Sequence, residues 1–279
     1  MDSATGLTIK SFVFLDFETS HLHPTDRPKI IELSLIAINR AGLLDPDVHT
    51  SLNLAKNHEK STFDFSKVSL PRIVDKLTLC MDPGKYTSAD SARLTKLDKD
   101  KLDSNKKLPF DEGVVTMLNI FLSRQDQPVC LVAHNGMRFD FPILRSELSG
   151  LTTGDPPAEL YCLDTLKGFR AGFATETQGV KENAEKIISK QNSTTAWKRK
   201  LSDLECSPRP KRQRISYTLA NIFKRTFERE PPHSHSAEDD VVSLIKVLLP
   251  VISDFVSWAD ENASPFKDCK LYYANQPVL

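Results

Sequence analysis

The strongest constraint on the fold is the stretch Phe12-Val13-Phe14-Leu15-Asp16-Phe17-Glu18, an apolar run that ends in two carboxylates. Residues 11–17 read as a β-strand, and side chains along a strand alternate between its two faces. Asp16 and Glu18 therefore project to the same side, about 6–7 Å apart along the chain. Burying Asp16 in so apolar a run needs a metal or a partner as compensation. Two carboxylates on one side can share a hard divalent cation. A lone D-x-E also occurs on solvated polar faces, so the pair alone does not fix a function.

Around this strand the chain alternates strand-like and helix-like stretches. Residues 30–38 form a second strand, reached through a polar turn carrying Pro24 and Pro28, and 73–81 a third, ended by the turn Asp82-Pro83-Gly84. Apolar residues at 110, 114, 117, 118, 121 and 122 follow a helical period. Short apolar strands at 129–133 and 160–163 flank a helix over 141–148. Helices are predicted again at 217–227, 237–249 and 252–261. Three sequential strands followed by strand–helix alternation indicate an α/β fold with a mixed, five-stranded sheet flanked by helices.

The segment from about 172 to 213 stands apart, polar and rich in Ser, Thr, Asn and Lys, and is expected to be a flexible insertion in a single domain spanning 1–279. Between 196 and 214 seven basic residues face two acidic ones, a local charge of +5. The whole chain has 37 Lys+Arg against 37 Asp+Glu, so its neutrality conceals a separation of charge and does not exclude a nucleic-acid partner. Five cysteines without a C-x-x-C pair argue against a disulfide framework or zinc ribbon and fit a reducing compartment. No signal peptide is evident. The most apolar stretch, 241–258, is broken by Lys246, Pro250 and Asp254, so no membrane span is expected.

Two further polar clusters follow apolar segments. His134-Asn135-Gly136-Met137-Arg138-Phe139-Asp140 comes directly after the strand at 129–133, and α/β sheets place ligands at such carboxyl ends. Asp140 also suits a plain helix N-cap. His233-Ser234-His235-Ser236-Ala237-Glu238-Asp239-Asp240 leads into the helix at 237–249. There Ser236 reads as a cap and the acids as favourable partners of the helix dipole, which leaves the preceding histidines unexplained.

Together the clusters give D-x-E, then Asp, then H-x-x-x-x-D. This pattern resembles the DEDDh branch of the exonuclease superfamily with a ribonuclease-H-like fold, and more closely the animal three-prime repair exonucleases. The resemblance is carried by Phe12–Glu18, Leu70-Pro71-Arg72-Ile73-Val74-Asp75-Lys76-Leu77-Thr78-Leu79-Cys80, Phe121-Leu-Ser-Arg-Gln125, Cys130-Leu-Val-Ala-His-Asn-Gly136, Phe139-Asp-Phe-Pro142, Ser216-Tyr-Thr-Leu219 and His235-Ser-Ala-Glu238. It covers nearly the whole chain outside the insertion and looks closer to the short family member than to the one with a membrane-anchoring tail.

The resemblance implies a 3′→5′ DNA exonuclease in which Asp16, Glu18, Asp140 and Asp240 hold two Mg²⁺ or Mn²⁺ ions and His235 is the general base. His235 is preferred to His233 because it lies five residues before Asp240. Thr19, Leu22, Ala133, His134, Asn135, Arg138 and Tyr217 are its implied contacts to a DNA 3′ end. His21 and Asp239 stand where the family has Gly, which bears on the terminal-nucleotide pocket and on the charge beside the metals. Family members pair as homodimers through the third, edge strand, here 73–80. Lys198-Arg199-Lys200 and Lys211-Arg212-Gln213-Arg214 have the layout of a bipartite nuclear localisation signal, and equally suit DNA phosphates or a solvated loop. An exoribonuclease, and a catalytically silent nucleic-acid-binding or scaffold protein, stay open as alternatives.

Overall fold

The computed structural model of the chain describes residues 6–57, 62–151, 159–172, 215–232 and 235–273. The basic insertion, the proposed localisation signal and His233 lie outside the described residues.

A mixed sheet runs through the centre in the order β5-β2-β1-β6-β7-β8. Its strands are β1 (Ser11–Thr19), β2 (Ile30–Asn39), β5 (Asp75–Cys80), β6 (Val129–Ala133), β7 (Leu160–Asp164) and β8 (Ser264–Pro265). β3 (Lys56–Asn57) and β4 (Thr62–Phe63) form a separate small ribbon. β1 is antiparallel to β2 and parallel to β6, so the strand bearing the two carboxylates is central. The expected five strands are present, and a sixth joins β7 antiparallel at the edge. Two residues with one proline carry no period to read, and proline is tolerated at an edge because it need not donate there. The third strand begins at Asp75 rather than 73; Ile73 is 84% exposed.

Helices cover both faces. In chain order they are α1 (Arg40–Leu43), α2 (Pro46–Ala55), α3 (Ala89–Thr95), α4 (Lys99–Ser104), α5 (Glu112–Ser123), α6 (Asp140–Leu148), α7 (Thr165–Ala171), α8 (Leu219–Phe227), α9 (Ala237–Leu248) and α10 (Ile252–Asn262). Strand alternation sorts the core into two halves. Phe12, Phe14, Ile36, Ile38 and Val132 pack with Phe223 of α8, Val241, Leu244 and Ile245 of α9, and Phe255 of α10. Val13, Leu15, Leu33, Leu35 and Leu131 pack with Val114, Leu118 and Leu122 of α5 and Phe141, Ile143 and Leu144 of α6. Burying each such large side chain contributes about 1.5–3 kcal/mol. Phe255 lies 5.4 Å from Phe12 and 6.2 Å from Phe14, ring to ring.

Capping explains several boundaries. Asp111 accepts from the N–H groups of Gly113 and Val114 and starts α5 two residues after the apolar period begins; Thr218 caps α8 through Asn221. The helical stretch 237–262 is apolar and long enough to cross a membrane by length and composition, contrary to expectation, because a 3-10 turn at Leu249–Val251 carries it past Pro250. Its apolar residues are those packed against the sheet, which is how a core helix looks. Beside β8, the Sγ atoms of Cys162 and Cys269 lie 3.3 Å apart, a thiol pair separated by 107 positions in sequence.

Candidate active site

Phe12 and Phe14 point into the α9–α10 half of the core, so strand alternation sends Asp16 and Glu18 to that face. The packing helix ends there: α9 begins at Ala237, and its first turn brings Asp240 alongside. Asp16, Glu18 and Asp240 each offer a carboxylate oxygen within 4.8 Å of the others. Asp140, the first residue of α6, lies outside that trio and is 6% exposed, but its charge acts directly on Asp16. As α6 starts at Asp140 itself, this residue is not the N-cap that the sequence allowed.

The four carboxyls carry the mark of crowding. Burial, then repulsion from Asp140, Asp240 and Glu18, pushes Asp16 well above the usual carboxylate range. Burial, then Asp240 and Glu32, raises Glu18 to about 8. Asp140 rises to about 7, first through burial and then through Asp164, partly offset by backbone N–H groups of Asp140 and Phe17. Burial also raises Asp240, opposed by its hydrogen bond with His235. An all-oxygen set of acids that resist ionising side by side fits hard divalent cations, which relieve both penalties at once.

His235 is exposed and occupies left-handed backbone space at φ 69°. Its N–H donates to Asp240 Oδ2 at 3.0 Å, tying the histidine's backbone to the carboxylate. Ser236 makes no side-chain cap to α9, against expectation. Glu32, on β2 opposite Glu18, takes that role: its Oε2 accepts from the Ala237 N–H at 2.9 Å. Glu238 moors the same turn to β5, accepting from Lys76 Nζ at 2.8 Å and Thr78 Oγ1 at 3.2 Å.

The loop 134–140 is held by a second residue missed in the sequence. Asp164, 3% exposed at the end of β7, accepts from the N–H groups of Asn135 (2.9 Å), Met137 (3.3 Å) and Leu166 (3.0 Å). It thereby fixes the loop and caps α7 together. Asn135 takes φ 66°, a region asparagine tolerates. At Gly136 a Cβ would stand 2.6 Å from Ala133 Cβ and 2.8 Å from Phe141 Cε2, so this position admits no side chain without a shift in the loop.

The remaining predicted contact residues differ in what they leave free. His134 is half-buried with both ring nitrogens engaged, Nδ1 with Thr165 Oγ1 at 3.0 Å and Nε2 with the Tyr217 carbonyl at 2.8 Å. It latches the segment before α8 to the end of β6. The Tyr217 ring lies under the Arg225 guanidinium at 5.5 Å. Ala133 is fully buried, whereas Arg138 is exposed. Thr19 is 4% exposed and its hydroxyl donates to the His21 carbonyl; Leu22 is 50% exposed on the turn after β1. The left-handed residue of that turn is Arg27 at φ 48°, not His21, so loss of the family's glycine at 21 costs no backbone freedom here. The turn is fastened by Lys85 Nζ donating to the Asp26 and Arg27 carbonyls, and by Glu147, which accepts from Lys29 Nζ at 2.7 Å.

No protein-family model matches the chain. Among curated proteins it is similar to three prime repair exonuclease 2 of Homo sapiens, 36% identical over 254 residues, covering 91% of this chain and 89% of that one. It is also similar to three-prime repair exonuclease 1 of Bos taurus, 32% identical over 265 residues, covering 95% and 71%. Among solved structures it matches E. coli exonuclease I in complex with a dT13 oligonucleotide at a TM-score of 0.53 and 13% identity, over 90% of this chain and 43% of that one. A 3′-exonuclease that recognises the histone mRNA stem-loop matches at 0.51 and 11%, over 91% and 84%. The structural matches establish the ribonuclease-H-like exonuclease fold. With identity above 30% over 89% and 71% of two named relatives, and the acidic cluster at the sheet's centre, the chain belongs to the three-prime repair exonuclease family and is a 3′→5′ exonuclease.

Proposed function

We propose that this exonuclease is metal-dependent, acts on DNA 3′ ends and releases 5′-mononucleotides, as one exonuclease domain over residues 1–279. The observation that carries this reading is the approach of the Asp16, Glu18 and Asp240 carboxylates to within 4.8 Å, with Asp140 in their field. In this reading Asp16, Glu18, Asp240 and Asp140 would together hold two Mg²⁺ (or Mn²⁺) ions. When bound, such a pair stabilises the charge on the attacking and leaving oxygens of an in-line phosphoryl displacement.

The chain's own side chains do the rest. His235 accepts the proton of the attacking water; that oxygen forms a bond to phosphorus as the bond to the 3′ oxygen of the preceding nucleotide breaks. The hydrogen bond from its backbone N–H to Asp240 couples the base's position to the carboxylate's. Leu22, with half its surface free, supplies an apolar contact for the terminal bases, and Thr19 and Asn135 bound the pocket. His134 and Tyr217 contribute as a joined pair, and Ala133 supports the strand path from below. Arg138, exposed two residues before Asp140, contacts phosphate.

The reading extends to a homodimer through the edge near 73–80, supported by β5 having β2 as its strand partner among the described residues. Unpaired strand edges favour covering or pairing. It also takes the basic cluster at 198–214 as a DNA-holding and nuclear-targeting segment, with residence in the nucleus, the cytoplasm or both.

The deciding experiment is digestion of a labelled single-stranded DNA oligonucleotide with Mg²⁺ by wild type, Asp16→Asn and His235→Ala. Mononucleotides are expected from wild type alone; equal activity in all three, or none in any, overturns the reading. A matched RNA oligonucleotide trimmed as fast as the DNA would favour the exoribonuclease alternative. Light scattering checks the dimer, and a monomeric mass at micromolar concentration refutes it.

A further inference from the structure

We propose that Glu32 is a positioning residue of the cation site: by holding the backbone of Ala237, it sets the reach between Asp240 on α9 and Glu18 on β1. The inference rests on the metal-dependent reading above and deepens it, since Glu32 belongs to neither the D-x-E, the Asp nor the H-x-x-x-x-D motif.

Three observations support it. α9 receives no side-chain cap from Ser236, so its first turn has orphan N–H groups to place. One of these, on Ala237, finds Glu32 Oε2 at 2.9 Å, across 205 positions in sequence. Ala237 is fully buried and the Asp240 N–H returns to the Ser236 carbonyl at 3.0 Å, so a displacement at 237 carries Asp240 with it. At the other end Glu32 is the direct cross-strand partner of Glu18, in a register fixed by the β1–β2 ladder. One side chain thus spans from the strand pair beneath Glu18 to the helix turn bearing Asp240.

The arrangement has an electrostatic cost. Like charges on opposed residues destabilise a strand pair, and Glu32 adds to the repulsion felt by Asp16, Glu18 and Asp240. A bound cation converts that repulsion into attraction. The acceptor oxygen and the charge of Glu32 are therefore separable contributions, the first placing Asp240 and the second adding to the field.

The test is thermal unfolding of the full chain titrated with Mg²⁺ and, separately, Mn²⁺, without DNA, reading the cation concentration that gives half of the Tm rise. Glu32→Ala removes the acceptor and is expected to raise that concentration about tenfold or more, the usual size of a supporting-residue effect on metal affinity. Glu32→Asp keeps the charge but shortens the reach by one methylene, and is expected to behave like Ala; it serves also if the Ala variant does not fold. Glu32→Gln keeps an acceptor oxygen without the charge; it should stay within about threefold of wild type and unfold at a higher temperature than wild type in EDTA. Wild-type half-saturation in the Ala or Asp variants, or a Gln variant as impaired as Ala, overturns the positioning role alone. A wild type whose Tm ignores both cations overturns the metal-dependent reading and this inference with it.

Discussion

The acidic site has two halves built by different means. Asp16 and Glu18 stand on a central strand with neighbours on both sides, and Asp140 is fixed by a loop that Asp164 and Gly136 hold from two directions. Asp240 and His235 sit at the entrance of a helix tied down by individual hydrogen bonds to half-buried or exposed groups: Glu32, Lys76 and Thr78. The sheet half is therefore over-determined by packing, and its cost appears as raised carboxyl pKa values. The helix half depends on those few hydrogen bonds at its first turn. Substitutions on the sheet side should disturb chemistry together with stability, and those on the helix side chemistry alone.

Asp16→Asn gives the largest expected effect and sharpens the contrast by separating the two quantities. Mononucleotide release should fall to background, while metal-free stability near neutral pH should rise above that of wild type, because folding no longer has to keep that buried carboxyl from ionising as it does in the unfolded chain. Activity assays and melts in EDTA together check both arms. On the helix side, His235→Ala should lower kcat by about 10²–10⁴ with Tm unchanged. A Tm drop as large as that of a core substitution would break the comparison.

Gly136→Ala tests the loop. Accommodating the extra methyl group forces the Ala133–Phe141 contacts apart, at a cost of about 1–3 kcal/mol. Denaturant unfolding measures the loss, and a fall in kcat is expected because Asp140 begins the helix containing Phe141. A further effect comes from pH. The Glu18 pKa is raised from 4.5 to about 8, so across that window the folded protein keeps a proton that the unfolded chain has lost. Raising pH from 4.5 to 8 in EDTA therefore lowers Tm, and saturating Mg²⁺ should flatten that slope. A metal-free Tm that rises over this range would contradict the crowded-carboxylate account.

What the sequence disclosed follows from range. The D-x-E pair, Asp140, His235 and Asp240 are each read from a short local pattern, and the fold brings three of those carboxylates together as that pattern requires. Glu32 and Asp164 are equally central to the geometry and gave no sign, because each acts by accepting backbone N–H bonds; neither the strand residue nor the receiving loop looks unusual alone. The N–H that Ser236 leaves uncapped is met in the same way, by Glu32 from 205 positions away. β8 and the Cys162–Cys269 contact depend on pairings over more than a hundred residues, which no periodicity encodes. At the turn after β1 the residue in left-handed space is Arg27 rather than His21, a fact of backbone conformation that motif spacing does not carry.

The spacing of these residues along the chain has a consequence for how the protein is made. Asp16 and Glu18 precede Asp240 by more than two hundred residues, and Asp240 needs α9 packed on the sheet to reach them. Closure continues further still, with the Tyr272 N–H donating to the Pro142 carbonyl on the helix that Asp140 begins. A chain synthesised only as far as β7 thus carries the D-x-E pair without the third carboxylate of the cluster. Any stretch of the chain that ends before α9 therefore lacks one of the three clustered carboxylates, whatever else of the sheet it contains.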